Sequence, residues 1–448
     1  MDSKIYFEDN LERYKSLIPQ EVQKHLPIYK DLVYKIAEVQ KKLQANFYRV
    51  TDLKALEQAV NNKKIIPGRF SIIEEKNGEY FLVRYTDFFE EEFAYIRSLL
   101  QKIEKDLQPG LYKEYISSLI LAFTNNNFID PFKKWLQLPN DAYPVEFVLF
   151  PDEEEFDHLF NKMQSFDASL RVTCPEFTKE NNEYQKYLLG ILKSLPNFSE
   201  LHSKVSTETS RLKIRVDYSI YSSGVHDMVP YYSQNLPNSR EEALNWGSKI
   251  VVYKTTIDGR TKNVVYAYAK DIIENFDLAE EELAKTLTNK VFVHEIVEAF
   301  MKFEGSEQRL GNMHLKTREF NSEVFGGNSY VLYLLKFAEG SREIRNLAIV
   351  YVLTALEYFR RNSSESKRSS HYYQYVANIN YYEKNGAISL TNEGKVQVDA
   401  KKIVKCLAEL SKISSHLMMT GSQKEAELFF KEHSSTEFFK EALKGKID

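Results

Sequence analysis

Apolar positions recur at helical spacing early in the chain, at Leu17, Ile18, Val22, Leu26, Tyr29, Leu32, Val33, Ile36, Val39 and Leu43. That spacing predicts helix across the first sixty residues. The period then shortens. Residues 70–85 read as two strands about Asn77-Gly78, a dipeptide that tolerates the positive φ of a tight hairpin turn. Helical spacing returns over residues 88–137. A second β-like block starts at residues 145–150 and continues over 211–221, where Leu212, Ile214, Val216, Tyr218 and Ile220 alternate with polar neighbours. Further strands are predicted at 250–253 and 264–268, joined around Asp258-Gly259, and a helix at 181–195. From Ala279 onward the pattern is almost entirely helical, interrupted by a polar stretch at 361–370 that reads as a loop. The result is an α+β chain, mostly helical, with a mixed lobe from the first half and a helical lobe from the second. Boundaries fall at residues 1–170 with 205–255 for the mixed lobe, and 171–204 with 256–448 for the helical one.

Composition narrows the classes. With 448 residues, 43% hydrophobic and 28% charged, the chain has the profile of a globular protein with ample core. Its 29 Tyr and 29 Phe suit large packed helical surfaces. A net charge of −4 gives no electrostatic footprint for nucleic acid or an anionic membrane. Cys174 and Cys406 are far apart, which excludes a disulfide framework and implies a reducing compartment. The first ten residues are acidic and do not read as a signal peptide, and no apolar run is long enough to span a bilayer. A cytoplasmic location is the expectation.

The candidate chemistry lies in Val291-Phe-Val-His294-Glu295-Ile-Val-Glu298-Ala299-Phe300. In H-E-x-x-H, two histidines one helical turn apart face one metal and the intervening Glu activates water. Here the second His is Glu298. His294 and Glu298 share a helix face, as do Glu319 and Glu323 further on, so two packed helices would bring an imidazole and carboxylates together. A bare H-E-x-x-E is ordinarily a solvated helix surface. Phe292, Val293, Ile296, Val297 and Phe300 surround this one with apolar side chains, and carboxylates buried there need a cation, a proton or a hydrogen-bond donor.

Several segments in order resemble the dipeptidyl peptidase III family of zinc metallopeptidases, in particular its shorter bacterial members. Residues 291–300 resemble the zinc helix, and Thr317-Arg-Glu319-Phe-Asn-Ser-Glu323-Val-Phe-Gly326 resembles the second zinc helix, of the form E-E-x-x-A-[ED]-x-x-G. Gln234-Asn235-Leu236-Pro237-Asn238 is similar to the N-[LI]-P-N segment, residues 143–160 to the P-[IV]-E-x-x-I-G-P stretch, and Ser369-Ser-His371 with Asn380–Ala387 to the late A-H-G…F-N-Y-F pattern. The resemblance implies two lobes around a wide groove, a mixed, barrel-like α+β lobe and a helical lobe carrying the metal. It implies His294 and Glu319 as zinc ligands, Glu295 as general base, Glu323 as a carboxylate orienting a ligand, His371 as oxyanion stabiliser, and Asn235 and Asn238 as residues that hold the peptide backbone. The sequence departs from the motif at Glu298, at Glu155 where a family tyrosine falls, and at Tyr372 where a glycine follows the late His.

The resulting expectation is a zinc-metallopeptidase-like hydrolase that releases dipeptides from peptide N-termini, with Glu298 completing a His294/Glu298/Glu319 ligand set. Two carboxylates would favour harder ions, so Mn²⁺ or Fe²⁺ stand beside Zn²⁺. The alternative is a catalytically inactive homologue, without metal, that binds short peptides or a protein partner in the same groove.

Overall fold

The computed structural model describes residues 7–139, 143–153, 157, 159–160, 162–193, 212–224, 231–237, 240–301, 303, 305–337, 341–362 and 369–445. The chain is an α+β fold, mostly helical, and divides into two compact units: Met1–Cys174 with Arg215–Tyr231, and Pro175–Ile214 with Tyr232–Asp448. No helix among the described residues is long and apolar enough to cross a membrane.

In the first unit, the early helical pattern becomes the helix Leu26–Gln44, whose Leu26, Tyr29, Leu32, Val33, Ile36, Val39 and Leu43 are all buried. The predicted hairpin forms as Ser71–Lys76 against Glu79–Arg84, with Asn77 and Gly78 at φ 54° and 77° in the left-handed region that its turn requires. Helices Glu90–Asp106, Leu111–Asn125 and Ile129–Gln137 follow. Phe93 packs edge-on against Phe123, with centroids 4.7 Å apart, and against Phe166 at 5.9 Å. Phe89 and Phe128 join the same core.

Strands Val145–Glu153, Ser165–Thr173 and Leu212–Gly224 pair antiparallel in sequence order, and Phe7–Asp9 adds to the last. No closed barrel is present among the described residues. Ser165–Thr173 is a further strand, in which Phe166, Ala168, Leu170 and Val172 alternate with polar residues, yet Arg171 on the polar side is buried too. The reason is charge pairing. Arg171 Nη2 lies 3.0 Å from Glu146, Arg215 Nε 2.9 Å from Asp217, and the cross pairs stand at 3.7 and 3.5 Å. Trp135 Nε1 donates to Glu146 as well. Two cations and two anions on three adjacent strands thus neutralise one another inside the unit.

The second unit begins with the helix Pro175–Lys193, close to the predicted 181–195. Ser233–Leu236 pairs antiparallel with Ser248–Tyr253, placing Asn235 opposite Ile250. Residues 264–268 are helical rather than a strand, and Asp258-Gly259 lies inside the helix Lys254–Arg260 instead of a turn. Val264, Val265, Tyr266 and Tyr268 favour a strand locally. The buried positions nevertheless run Ile257, Thr261, Val265, Ala269 and Ile272, a helical stripe that decides the outcome. Beyond Ala279 the helices Glu280–Phe300, His314–Phe337, Ser341–Asn362, Ser370–Lys384 and Ala400–Met419 form the core, with a short hairpin of Ile388–Leu390 and Val396–Val398 interposed. The polar stretch at 361–370 falls largely outside the described residues.

Arg171→Met should leave Glu146 and Asp217 buried with one cation between them. The expected loss is about 3–5 kcal/mol of stability, read as a lower urea midpoint followed by tryptophan fluorescence. A loss below about 1 kcal/mol would show that the charge pairs do not hold these strands.

Candidate metal centre

Glu280–Phe300 is buried around most of its circumference, from Leu283 and Leu287 to Phe292, Val293, Ile296, Val297 and Phe300. Its first turn carries Glu280, Glu281 and Glu282, well placed against the positive end of the helix, and Glu282 Oε2 accepts the Ala279 backbone N–H at 3.0 Å. Packed against it is His314–Phe337, buried almost continuously from Glu319 to Gly327. Gly326 permits the close approach, since a Cβ there would stand 3.0 Å from Val293 Cγ1 and 3.2 Å from the Val293 carbonyl oxygen.

At this contact the polar side chains meet. His294 is 8% exposed, Glu319 5% and Glu323 0%. His294 Nδ1 lies 3.2 Å from Glu323 Oε2, and Nε2 lies 3.2 Å from Glu319 Oε2. An ionised carboxylate only accepts, so Nδ1 carries a proton toward Glu323. The third group comes from Ser370–Lys384: His371 Nδ1 stands 3.3 Å from the same Glu319 Oε2. Ligand atoms of His294, Glu319 and His371 all lie within 4.8 Å of one another.

Glu298, expected as the third ligand, is not in this group. Its Oε1 is 3.4 Å from Arg318 Nη2, which also donates to Glu319 Oε1 at 2.9 Å. The adjacent guanidinium draws Glu298 to itself, and the imidazole of His371 stands nearer to Glu319. Glu295 turns toward Ser233, whose Oγ donates to its Oε1 at 2.7 Å. Glu323 stands against His294 Nδ1 and Lys290 Nζ. Asn235 lines a cavity of about 410 Å³ with Pro237, Glu298, Met301, Arg318 and Met418, and its buried Oδ1 has no hydrogen-bond partner. Asn238 and Glu155 lie outside the described residues.

Two residues escaped the sequence reading. Lys290 is buried one turn before His294, with Nζ 2.7 Å from Glu323 Oε1. Arg318 directly precedes Glu319. A lysine at i−4 from the motif histidine on an apolar helix was the available signal for the first.

The electrostatics follow from this layout. Burial works against His294's charge, but Glu319 and Glu323 outweigh it and push the imidazole up to about 10. Burial would likewise raise Glu319, yet His371, His294 and Arg318 hold it well below the usual carboxylate range. Lys290 and His294 overcome burial at Glu323 and lower it to about 2. Glu295 goes the other way: burial and the neighbouring Glu298 raise it to about 7.

The residues present fit a divalent ion. Glu319 Oε2 is buried and takes no well-aligned hydrogen bond, although both imidazoles stand within 3.3 Å of it. Among the described residues, four carboxylates (Glu295, Glu298, Glu319 and Glu323) face two permanent cations, Lys290 and Arg318. Two imidazoles with one carboxylate form a zinc-type donor set, softer than the His/Glu/Glu set expected from the sequence.

No protein-family model matches the chain. Its fold matches that of dipeptidyl peptidase III from Caldithrix abyssi with a TM-score of 0.81 at 16% identity, covering 96% of this chain and 94% of that one. Dipeptidyl peptidase III from Corallococcus sp. strain EGB matches with a TM-score of 0.67 at 20% identity, over 89% of this chain and 76% of that one. Among curated proteins, Nudix hydrolase 3 of Arabidopsis thaliana is 18% identical over 390 residues, 84% of this chain. The chain spans about half (48%) of that relative's length.

A metal-free preparation tests the electrostatics. The folded value of His294, about 10, exceeds its ordinary 6.5. The ion pairs of the imidazolium therefore contribute fully below pH 6.5 and are lost as pH rises through about 10. The difference in denaturation midpoint between the wild type and His294→Asn should shrink over that interval. A difference that grows with pH would contradict the assigned charges.

Proposed function

We propose that this chain, built on the dipeptidyl peptidase III fold, is a metal-dependent peptidase-like hydrolase that releases dipeptides from the N-termini of short peptides. His294, Glu319 and His371 would hold the ion, with zinc favoured over manganese or iron by two imidazole donors. The observation that carries this reading is Glu319 Oε2, a buried anionic atom without an aligned hydrogen bond between two imidazoles.

A bound divalent ion would supply Lewis acidity for the scissile carbonyl and lower the pKa of water at the site. The remaining work falls to side chains. Glu295, lifted to about 7, takes and returns a proton near neutral pH, where an efficient general base operates. Ser233 Oγ donates to one of its oxygens and fixes its direction. Glu323 accepts from His294 Nδ1 and so presents Nε2 on the side of Glu319. Asn235 Oδ1, unpartnered and buried, offers an acceptor to a peptide N–H.

A second reading has its own support. Arg318 already neutralises one oxygen of Glu319, and a protonated His294 satisfies the site without metal. A non-catalytic peptide-binding homologue fits that state. Metal analysis of the purified protein, followed by cleavage assays on N-terminally free peptides with and without chelator, separates the two. Stoichiometric zinc and chelator-sensitive release of dipeptides support the hydrolase, whereas a metal-free protein that binds peptides without turnover leaves the second reading.

In the hydrolase, Glu295→Gln should retain zinc and lower kcat by about 10²–10⁴. His371→Ala should instead release zinc, measured by competition with a chromogenic chelator. Unchanged zinc retention in His371→Ala would remove that residue from the ligand set.

A further inference from the structure

Lys290 sits where four helices of the second unit converge. It projects from Glu280–Phe300 on the same face as His294, one turn earlier. Its Nζ lies 2.7 Å from Glu323 Oε1 and 3.0 Å from Oε2. The ammonium also faces the ring of Tyr351 at 5.1 Å, on Ser341–Asn362, and that of Tyr375 at 5.4 Å, on Ser370–Lys384, with the Tyr375 hydroxyl at 3.5 Å. Tyr351 Oη in turn donates to the Glu323 carbonyl at 3.1 Å. Lys290 is 4% exposed and Glu323 0%, so neither charge has solvent to fall back on.

Each contact leads to a ligand of the candidate centre. Glu323 bridges the ammonium to His294 Nδ1, which stands 3.2 Å from Oε2, one of the two oxygens that Lys290 also meets. Tyr375 lies one turn from His371 on the same helix, so a lysine that fixes Tyr375 also fixes the position of that helix. One cation therefore touches the supports of both imidazoles without approaching Glu319.

We propose that Lys290 is a positioning residue for the metal centre: it pins the Glu323 carboxylate and the Tyr375 ring, and through them holds His294 and His371 in ligand geometry. The inference rests on the metal-centre reading of the site. Lys290 has a second consequence as well. By sharing Glu323, it limits the negative charge passed to the His294 imidazole, and a bound cation keeps more of its electron-withdrawing power. A purely structural lysine would affect stability and leave the ligand geometry alone.

The test compares wild type, Lys290→Met, Lys290→Arg and Tyr375→Phe, with Co²⁺ as the probe ion. Lys290→Met should weaken Co²⁺ binding about 10-fold or more and shift the visible d–d bands, while Lys290→Arg restores most of both. Tyr375→Phe removes the hydroxyl that Lys290 Nζ meets at 3.5 Å and should weaken Co²⁺ binding by a smaller factor than Lys290→Met; if Lys290→Met is poorly soluble, Tyr375→Phe carries the comparison, and wild-type affinity and spectrum there overturn the proposal. A folded Lys290→Met protein with wild-type affinity and spectrum overturns the proposal. Should the wild type bind no Co²⁺, the metal reading itself fails, and imidazole ¹H–¹⁵N spectra of the metal-free protein decide the role of Lys290. A His294 Nδ1–H signal that is present in wild type and lost or displaced in Lys290→Met upholds the positioning role; an identical signal in both ends it.

Discussion

Two carboxylates buried one turn apart on a helix oblige their neighbours to supply positive charge, and the second unit is organised around that demand. Glu319 and Glu323 lie on one face of His314–Phe337, and both are almost fully excluded from solvent. The facing helix answers with Lys290 and His294, also one turn apart. Because 290 meets 323 while 294 meets 319, the helices run antiparallel at this contact. Gly326 brings the two backbones together at Val293. A side chain there would push the helices apart and lengthen the ion pairs that make the burial tolerable.

The departures from the H-E-x-x-H and E-E-x-x-A-[ED] patterns read differently once the contacts are known. Glu298 stands in place of a histidine, and Arg318 in place of the first glutamate of the second motif. These two residues pair with each other at 3.4 Å. A second imidazole, that of His371 on a third helix, stands 3.3 Å from Glu319 Oε2. The cluster of His294, Glu319 and His371 offers two nitrogens and one oxygen, and its charge balance depends on Arg318.

Of the fold, the sequence showed what local chemistry controls. The Asn77-Gly78 hairpin followed from the φ values those residues tolerate, and Leu26–Gln44 from a clean apolar stripe. Local chemistry misled at 264–268, where β-branched and aromatic residues lie on a helix whose buried stripe runs at a spacing of about four residues. At Ser165–Thr173 the alternation of Phe166, Ala168, Leu170 and Val172 marks a strand with one apolar face, but it does not show that the other face is buried, because Arg171 looks like a surface residue until Glu146 and Asp217 are beside it.

The site divides along the same line. Spacing alone placed His294 with Glu298, and Glu319 with Glu323, on common helix faces, since helical periodicity is a property of the chain itself. The apolar flanks of residues 291–300 correctly announced burial. Which carboxylate stands between two imidazoles, which one pairs with Arg318, and that His371 and Lys290 join the cluster follow only from the packing of four helices. Coulomb energy depends on distances between segments that are remote in the chain, and no periodicity within one segment encodes them.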